Sequence, residues 1–509
     1  MARVYSNRLS EYTHGNGGRV LLLFLLFLLS LYSLINSGIS GMAIMSTTPL
    51  IVLYIYLAFR YRMFTFWILF IINFFVSFLA REGMMPLPTS LPNEMLEIIL
   101  ISIAIIDLRD SHFENLANLM FVGVLGWCAF CVLEVLNDTC DLGINVGAWF
   151  TGIRLMAFQL LYAVIVFALY ITTPKRIYQL FFVWAFCSFI AVIWAWKQKN
   201  IGWTAAENNW LFAQGHARQH MVNGIIRYFG TFSDAANYGI HMAAAAVAFF
   251  IITITNRVRK YKLFFGFAGI VCTWAMFQSG TRTAIFCMIA GFMVFLFLSK
   301  SAKIIVPVSI VFGLFLGMLI FTNIGQGNNQ IRRMRSAFNK NDASANVRTI
   351  NKAAISKYMK DAPWGIGIGI FDKDIPAWNK FKLVSLIPPD SEYVFIWVRT
   401  GRIGVSWFLI CNIIMLLGAS CRVFFSIKNR SLMGIGAAWC AGFTAIHLGG
   451  YANQILMQFP NIIIFYGGLT TVYLLPKLEN EFEAYESQKL AEEAEKKRLK
   501  LEKKLAKRV

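Results

Sequence analysis

The chain has 509 residues, 58% of them hydrophobic, and a formal net charge of +21. Apolar runs long enough to cross a hydrocarbon layer of about 30 Å recur along it, which excludes a soluble globular domain and implies a polytopic membrane protein. Such basicity in a soluble domain would argue for nucleic acid. On short connections between apolar runs it is instead the signal of cytoplasmic loops, so no nucleic-acid partner follows.

The expected fold class is an all-α polytopic membrane protein with about 12–14 transmembrane helices. Fourteen runs are candidate spans: 19–38, 42–59, 63–80, 92–108, 115–136, 152–173, 178–196, 235–255, 262–278, 282–299, 304–323, 392–418, 433–450 and 459–476. The first follows Arg3, Arg8 and Arg19 but lacks a small-residue cleavage pattern, so it reads as a retained helix. The fourth has a short apolar core, Met95 to Ile106, yet omitting it would put the downstream basic loops on the wrong side. With it, Arg60 and Arg62, Lys175-Arg176, the Arg257 to Lys262 cluster, Lys300 and Lys303, and Arg422, Lys428 and Arg430 all fall inside, together with both termini. Of the nine cysteines, eight lie in or beside apolar runs and Cys140 sits in a polar outer loop, so no disulfide framework is implied. Cys128 and Cys131 are one turn apart in an apolar run and read as packing, not as metal ligands.

Residues 1–476 read as one multi-span domain, including a large outer loop over 324–391, and residues 477–509 as a charged cytoplasmic helical tail. From Asn323 to Asp390 the sequence holds 11 Lys/Arg against 5 acids, a basic surface suited to a phosphate-bearing ligand or simply the neutral charge content of a long loop. Val347, Ile350, Ala354 and Ile355 recur at helical spacing, so part of this loop is expected to be an amphipathic helix. The last fourteen residues carry 8 Lys/Arg and one Glu, which suits anionic headgroups or plain solvation.

Arg227 precedes the eighth span, in the phrase Arg-Tyr-Phe-Gly-Thr-Phe-Ser-Asp, and Arg282 lies in the hairpin Gln-Ser-Gly-Thr-Arg-Thr between the ninth and tenth. Both reach the same side of the membrane. A single arginine there snorkels to headgroups, but two in breaks rich in Gly, Ser and Thr suit phosphate oxygens. Arg348 opens the loop helix, with Gly365, Gly367 and Gly369 further on in Pro-Trp-Gly-Ile-Gly-Ile-Gly. These glycines lack the strand and helix context of a nucleotide fingerprint and read as a close-approach turn. Asp390 and Glu392 stand at the mouth of the twelfth span, positioned either to take a proton from an acceptor hydroxyl or to cap the helix, with Ser391 the other candidate cap. Arg399 and Arg402 follow at a depth where charges face a protein-lined cavity or reach back to the interface. His216, His220, His241 and His447 read as structural, and Asp372-Lys373-Asp374 is too sparse for a metal motif.

The ordered set Arg227…Gly230-Thr231-Phe232, Ser279-Gly280-Thr281-Arg282, Arg348, Pro363-Trp364-Gly365-Ile366-Gly367 and Asp390-Ser391-Glu392-Tyr393 with Gly401 and Gly404 resembles the O-antigen ligase and O-antigen polymerase superfamily of bacterial envelope glycosyltransferases, over about residues 225–475. The resemblance implies a helical GT-C-like fold in the bacterial inner membrane and a periplasmic active site. It also implies an undecaprenyl-diphosphate-linked glycan donor, a glycan or lipid A-core acceptor, and neither metal nor cofactor. It makes Arg227 and Arg282 the diphosphate-binding and catalytic arginines. Arg348 joins them as a binding residue, Asp390 and Glu392 are candidate catalytic carboxylates, and Ser279, Thr281, Gly365, Gly367, Tyr393 and Arg399 have supporting roles. Ligases of the family usually carry a histidine-asparagine pair where this chain has Asp390-Ser391, which turns the expectation toward a polymerase, with ligase as alternative. A flippase or lipid transporter, or a scaffold recruiting envelope assembly proteins, are the readings from other classes. Transporters place ionisable groups near the midplane, whereas these gather at helix ends.

Overall fold

A computed structural model describes residues 20–21, 23–25, 27–35, 52–85, 88–222, 225–325, 327–335 and 343–506. Arg3, Arg8, Arg19, Lys340 and Asp342, and part of the first two expected spans, lie outside these residues. The chain divides into two units, Met1–Phe66 and Trp67–Val509. The first contains an apolar helix over Leu23–Ile35 and a helical stretch over 52–60.

The second unit is built from helices that follow the expected runs. They are α1 (Arg62–Arg81, crossing the division), α2 (Leu91–Ile106), α3 (Leu119–Leu133), α4 (Val146–Tyr170), α5 (Pro174–Asn200), α6 (Ala235–Thr255), α7 (Arg259–Gln278), α8 (Thr283–Leu298) and α9 (Ala302–Phe321). After the loop helix α10 (Ala343–Met359) come α11 (Glu392–Cys421), α12 (Arg430–Gly450), α13 (Asn461–Val472) and α14 (Glu479–Leu505). Among the described residues the only β structure is a two-residue ladder, Met221 opposite Ile226 and Val222 opposite Ile225. The protein is therefore an all-α polytopic membrane protein. Among the described residues, seven helices are long and apolar enough to cross a membrane: α1, α3 with its extension to Leu136, α4, α5, α6, α11 with its extension to Ser426, and α12. Where the remaining expected spans fall on described residues, the helices are shorter or less apolar, as in Thr283–Leu298 and Ile305–Met318.

α6 and α12 form the centre, almost wholly buried and packed on each other, on α7 and on α8. Their small residues, among them Ala243 to Ala246 and Gly434, let the backbones approach closely, which is how helices gain van der Waals contact when lipid offers no hydrophobic contrast. Side-chain capping sets the helix starts: Asp234 accepts from the Ala236 and Asn237 N–H groups of α6, and Thr173 from Arg176 of α5.

The tail helix α14 is docked along its first half instead of solvated throughout. Phe482 is fully buried, and Tyr485 Oη lies 3.1 Å from Tyr261 Oη. The buried Glu486 accepts from Asn429 Nδ2 at 3.2 Å and from Ser431 Oγ, and Glu493 accepts from the Lys260 N–H at 2.8 Å at the start of α7. Its basic far end is exposed.

Candidate functional site

Two polar breaks meet at the same end of the bundle. The loop before α6 is held by Arg81, whose Nη1 donates to Phe232 O at 2.7 Å and Nη2 to Gly230 O at 2.8 Å. Gln198 grips the same turn, accepting from Gly230 N at 3.0 Å and donating to Gly230 O at 3.1 Å. This presents Arg227 to the hairpin between α7 and α8, where its Nη2 donates to Thr281 Oγ1 at 2.9 Å and its Nε to Ser279 O at 3.3 Å. Thr281 in turn donates to Ala235 O at 2.8 Å, locking hairpin and helix start together, and Ser279 Oγ accepts from Thr281 N at 3.1 Å.

Arg282 stands at the N-cap position of α8. Arg333 reaches the hairpin from the outer loop, its Nε donating to Gly280 O at 3.0 Å. Burial first, and then Arg333, with Arg282 and Arg348 contributing, pull the Arg227 pKa down to about 10, while Asp234 opposes them. Arg227 and Arg333 thus meet at the hairpin, with Arg282 and Arg348 within electrostatic reach and Asp234 as the opposing charge, a net cationic place that favours an added anion. Arg333 was visible in the sequence only as loop charge. Its position 53 residues from the carbonyl it binds gave no local signal.

Arg348 belongs both to this cluster and to a cavity of about 530 Å³ between α10 and α11, lined also by Lys352, Asp390, Ser391, Tyr393 and Arg402. Asp390 Oδ2 accepts from Asn351 Nδ2 at 2.7 Å. A cationic wall and a carboxylate therefore face one space.

Residues 267–409 match the family model of O-antigen ligase.

The match supports the superfamily resemblance read from the sequence and suggests a membrane protein of O-antigen or glycan assembly. The matched segment takes in Arg282, Arg333, Arg348 and Asp390, while Arg227 precedes it. Comparison with curated proteins gives no match.

Within the matched segment the two carboxylates face different ways. Asp390 lines the cavity, whereas Glu392 is buried and accepts from the Leu456 N–H at 2.9 Å, joining the start of α11 to the connection before α13. Neither Asp390 nor Ser391 caps α11 with its side chain, since Ser391 Oγ donates to Gly450 O at 3.1 Å. Tyr393 lines the cavity and donates to His447 O at 3.0 Å.

The glycine motif and Arg399 form a separate device. α11 breaks at Gly401, with φ 67° and ψ −171°, and the 363–367 turn plugs the break. Ile366 N donates to Val398 O at 2.9 Å and Gly367 N to Arg399 O at 3.0 Å. A Cβ on Gly401 would lie 1.9 Å from Pro363 O, and one on Gly365 2.4 Å from Arg399 O, so only glycines permit this interlock. The Arg399 guanidinium stacks over Phe371 at 4.3 Å and Phe395 at 5.3 Å, away from the four-arginine cluster. Cys140, placed by sequence in a polar loop, is buried with its thiol donating to Ile366 O at 3.6 Å, and burial pushes its pKa up to about 11.

Among the described residues no group of three or more His, Cys, Asp or Glu side chains is placed to hold a metal. Asp372 pairs with Lys382 at 2.9 Å, and Asp374 accepts from Phe371 N at 2.8 Å. His241 is buried between Trp184 Nε1 at 2.9 Å and Asn461 at 2.8 Å, and His447 meets Asn412 at 3.0 Å. His220 packs against Trp210 and Phe229 behind Arg227, and burial, with Arg227 nearby, lowers its pKa to about 3.

Proposed function

We propose that the protein is a glycosyltransferase that polymerises the repeat units of a surface polysaccharide from an undecaprenyl-diphosphate-linked donor, on the periplasmic face of the bacterial inner membrane. The observation that carries the reading is the grouping of Arg227 with Arg333, Arg282 and Arg348, the last of which also lines the cavity that Asp390 lines. The donor diphosphate lies across the arginines and the acceptor glycan enters the cavity. An acceptor hydroxyl oxygen attacks the anomeric carbon as the bond from that carbon to the diphosphate oxygen breaks, with inversion. The hydroxyl proton passes to Asp390 and the electron pair leaves with the diphosphate, whose growing charge the preorganised guanidiniums stabilise. Arg348, shared by cluster and cavity, positions the two reactants.

Transfer to lipid A-core or to protein would use the same donor site with another acceptor, and the ligase name of the matching family keeps this second reading in play. Purified protein given lipid-linked oligosaccharide alone distinguishes them. A ladder of longer lipid-linked glycans, lost in Arg282→Ala, supports the polymerase. Product only after lipid A-core or protein is added makes it a ligase, and no turnover in either case refutes both.

A further inference from the structure

A second polar cluster lies outside the arginine site, between α2 and α4. Asn93, Glu94 and Glu97 share one face of α2 by their helical spacing. The facing helix α4 is anchored to α2 twice: Arg154 Nη2 lies 2.6 Å from Glu94 Oε2, and Tyr170 Oη donates to Leu100 O at 2.8 Å. Gln159 falls between these anchors, and Tyr162, one turn on, is within electrostatic reach of Glu94 and Glu97. Between Arg154 and Phe158 the helix takes a π-type turn, a widening that often accompanies functional sites.

Burial here is extreme. Asn93, Glu97 and Gln159 are each 0% exposed and Glu94 6%. Among the described residues, both Glu97 oxygens, Glu94 Oε1, and both amide atoms of Asn93 and of Gln159 find no hydrogen-bond partner. Buried polar atoms are nearly always satisfied, and a carboxylate in an apolar interior needs a counter-charge. Two carboxylates here meet one guanidinium, leaving one negative charge. The free oxygens of Glu97, Glu94, Asn93 and Gln159 are hard donors of the kind that hold alkali and alkaline-earth cations.

We propose that Glu97, Glu94, Asn93 and Gln159 form an intramembrane binding site for a dehydrated sodium ion, which fastens α2 to α4. The single residual charge selects a monovalent ion, and Arg154 prevents the two carboxylates from demanding a divalent one. The site uses no residue of the proposed glycosyl-transfer machinery, so it stands or falls independently of that reading.

The test is thermal unfolding of the whole protein in detergent at neutral pH, with sodium chloride titrated against choline chloride at constant ionic strength. A saturable rise of Tm with sodium is expected for wild type. Glu97→Gln, neutral and of the same shape, is expected to fold and to lose that rise. Direct binding of radiolabelled sodium to both proteins provides a second readout, with retention by wild type only. Equal Tm in the two salts, or a sodium shift that persists in Glu97→Gln, overturns the proposal. So does a Tm that rises on acidification equally in both salts, because the occupant is then a proton.

Discussion

Replacing Arg227 by Gln separates its two jobs, holding the hairpin and holding an anion. The first rests on hydrogen bonds of 2.9 Å to Thr281 Oγ1 and 3.3 Å to Ser279 O, and charged donors of this kind contribute about 1.5–3 kcal/mol each at most. Opposing them, burial and the neighbouring Arg333 lower its pKa from the ordinary arginine value to about 10, a folding penalty of roughly 3 kcal/mol at neutral pH. The folded protein then binds fewer protons than the unfolded chain from about pH 10 up to the ordinary arginine range. Stability therefore rises with pH across that window, and the penalty is fully present below it. In Arg227→Gln the two effects nearly cancel, leaving stability within about 2 kcal/mol of wild type and removing the alkaline rise. Turnover should fall about 10²- to 10³-fold, as when one preorganised donor to a developing anion is lost. The assay pairs product formation from a lipid-linked oligosaccharide with Tm measured with and without inorganic pyrophosphate, which should stabilise wild type more than the variant. Turnover within tenfold of wild type refutes the reasoning. Outright unfolding does so too, since Arg227 would then be a strut and not an anion ligand.

Other positions give separable outcomes. Gly401→Ala would place a Cβ 1.9 Å from Pro363 O at a φ of 67°, so a loss of about 3 kcal/mol or more is expected in thermal unfolding. Gly313→Ala, with nothing within 4 Å, should be neutral or slightly stabilising. Asp390→Asn should lower kcat by about 10²- to 10⁴-fold with little change in Tm. Glu392→Gln should show the opposite balance, losing about 1–3 kcal/mol through the Leu456 N–H contact while keeping most of its kcat. Glu486→Ala removes the buried acceptor that joins α14 to Asn429 and Ser431, and limited proteolysis should then cut within 479–505 well before wild type is cut.

The apolar runs made the helices legible, because a backbone in hydrocarbon must satisfy its own hydrogen bonds and a helix does so within one segment. Arg227 and Arg282 were legible for a related reason: each sits in a polar break beside an apolar run, where a charge is conspicuous, whereas Arg348, inside the basic outer loop, was singled out only by the family resemblance. Arg333 was not, since in a loop already rich in basic residues one more carries no positional information. Glu392 and Asp390 looked equivalent two residues apart, but helix geometry turned one into a backbone contact and the other into the cavity. The glycine repeat was readable as a close approach, yet its partner, the break in α11, lies more than thirty residues downstream.

By itself the sequence determined the class of solvent, the helical architecture and the family resemblance, because hydrophobic run length and local motif order are properties of neighbouring residues. The tertiary structure decided which arginines meet and which carboxylate faces the cavity. It also decided that the tail helix is docked and that Asn93, Glu94, Glu97 and Gln159 are buried with polar atoms left unsatisfied among the described residues. Those outcomes depend on the register and rotation of helices packed from distant parts of the chain, and burial acquires its energetic meaning only once the neighbours are in place.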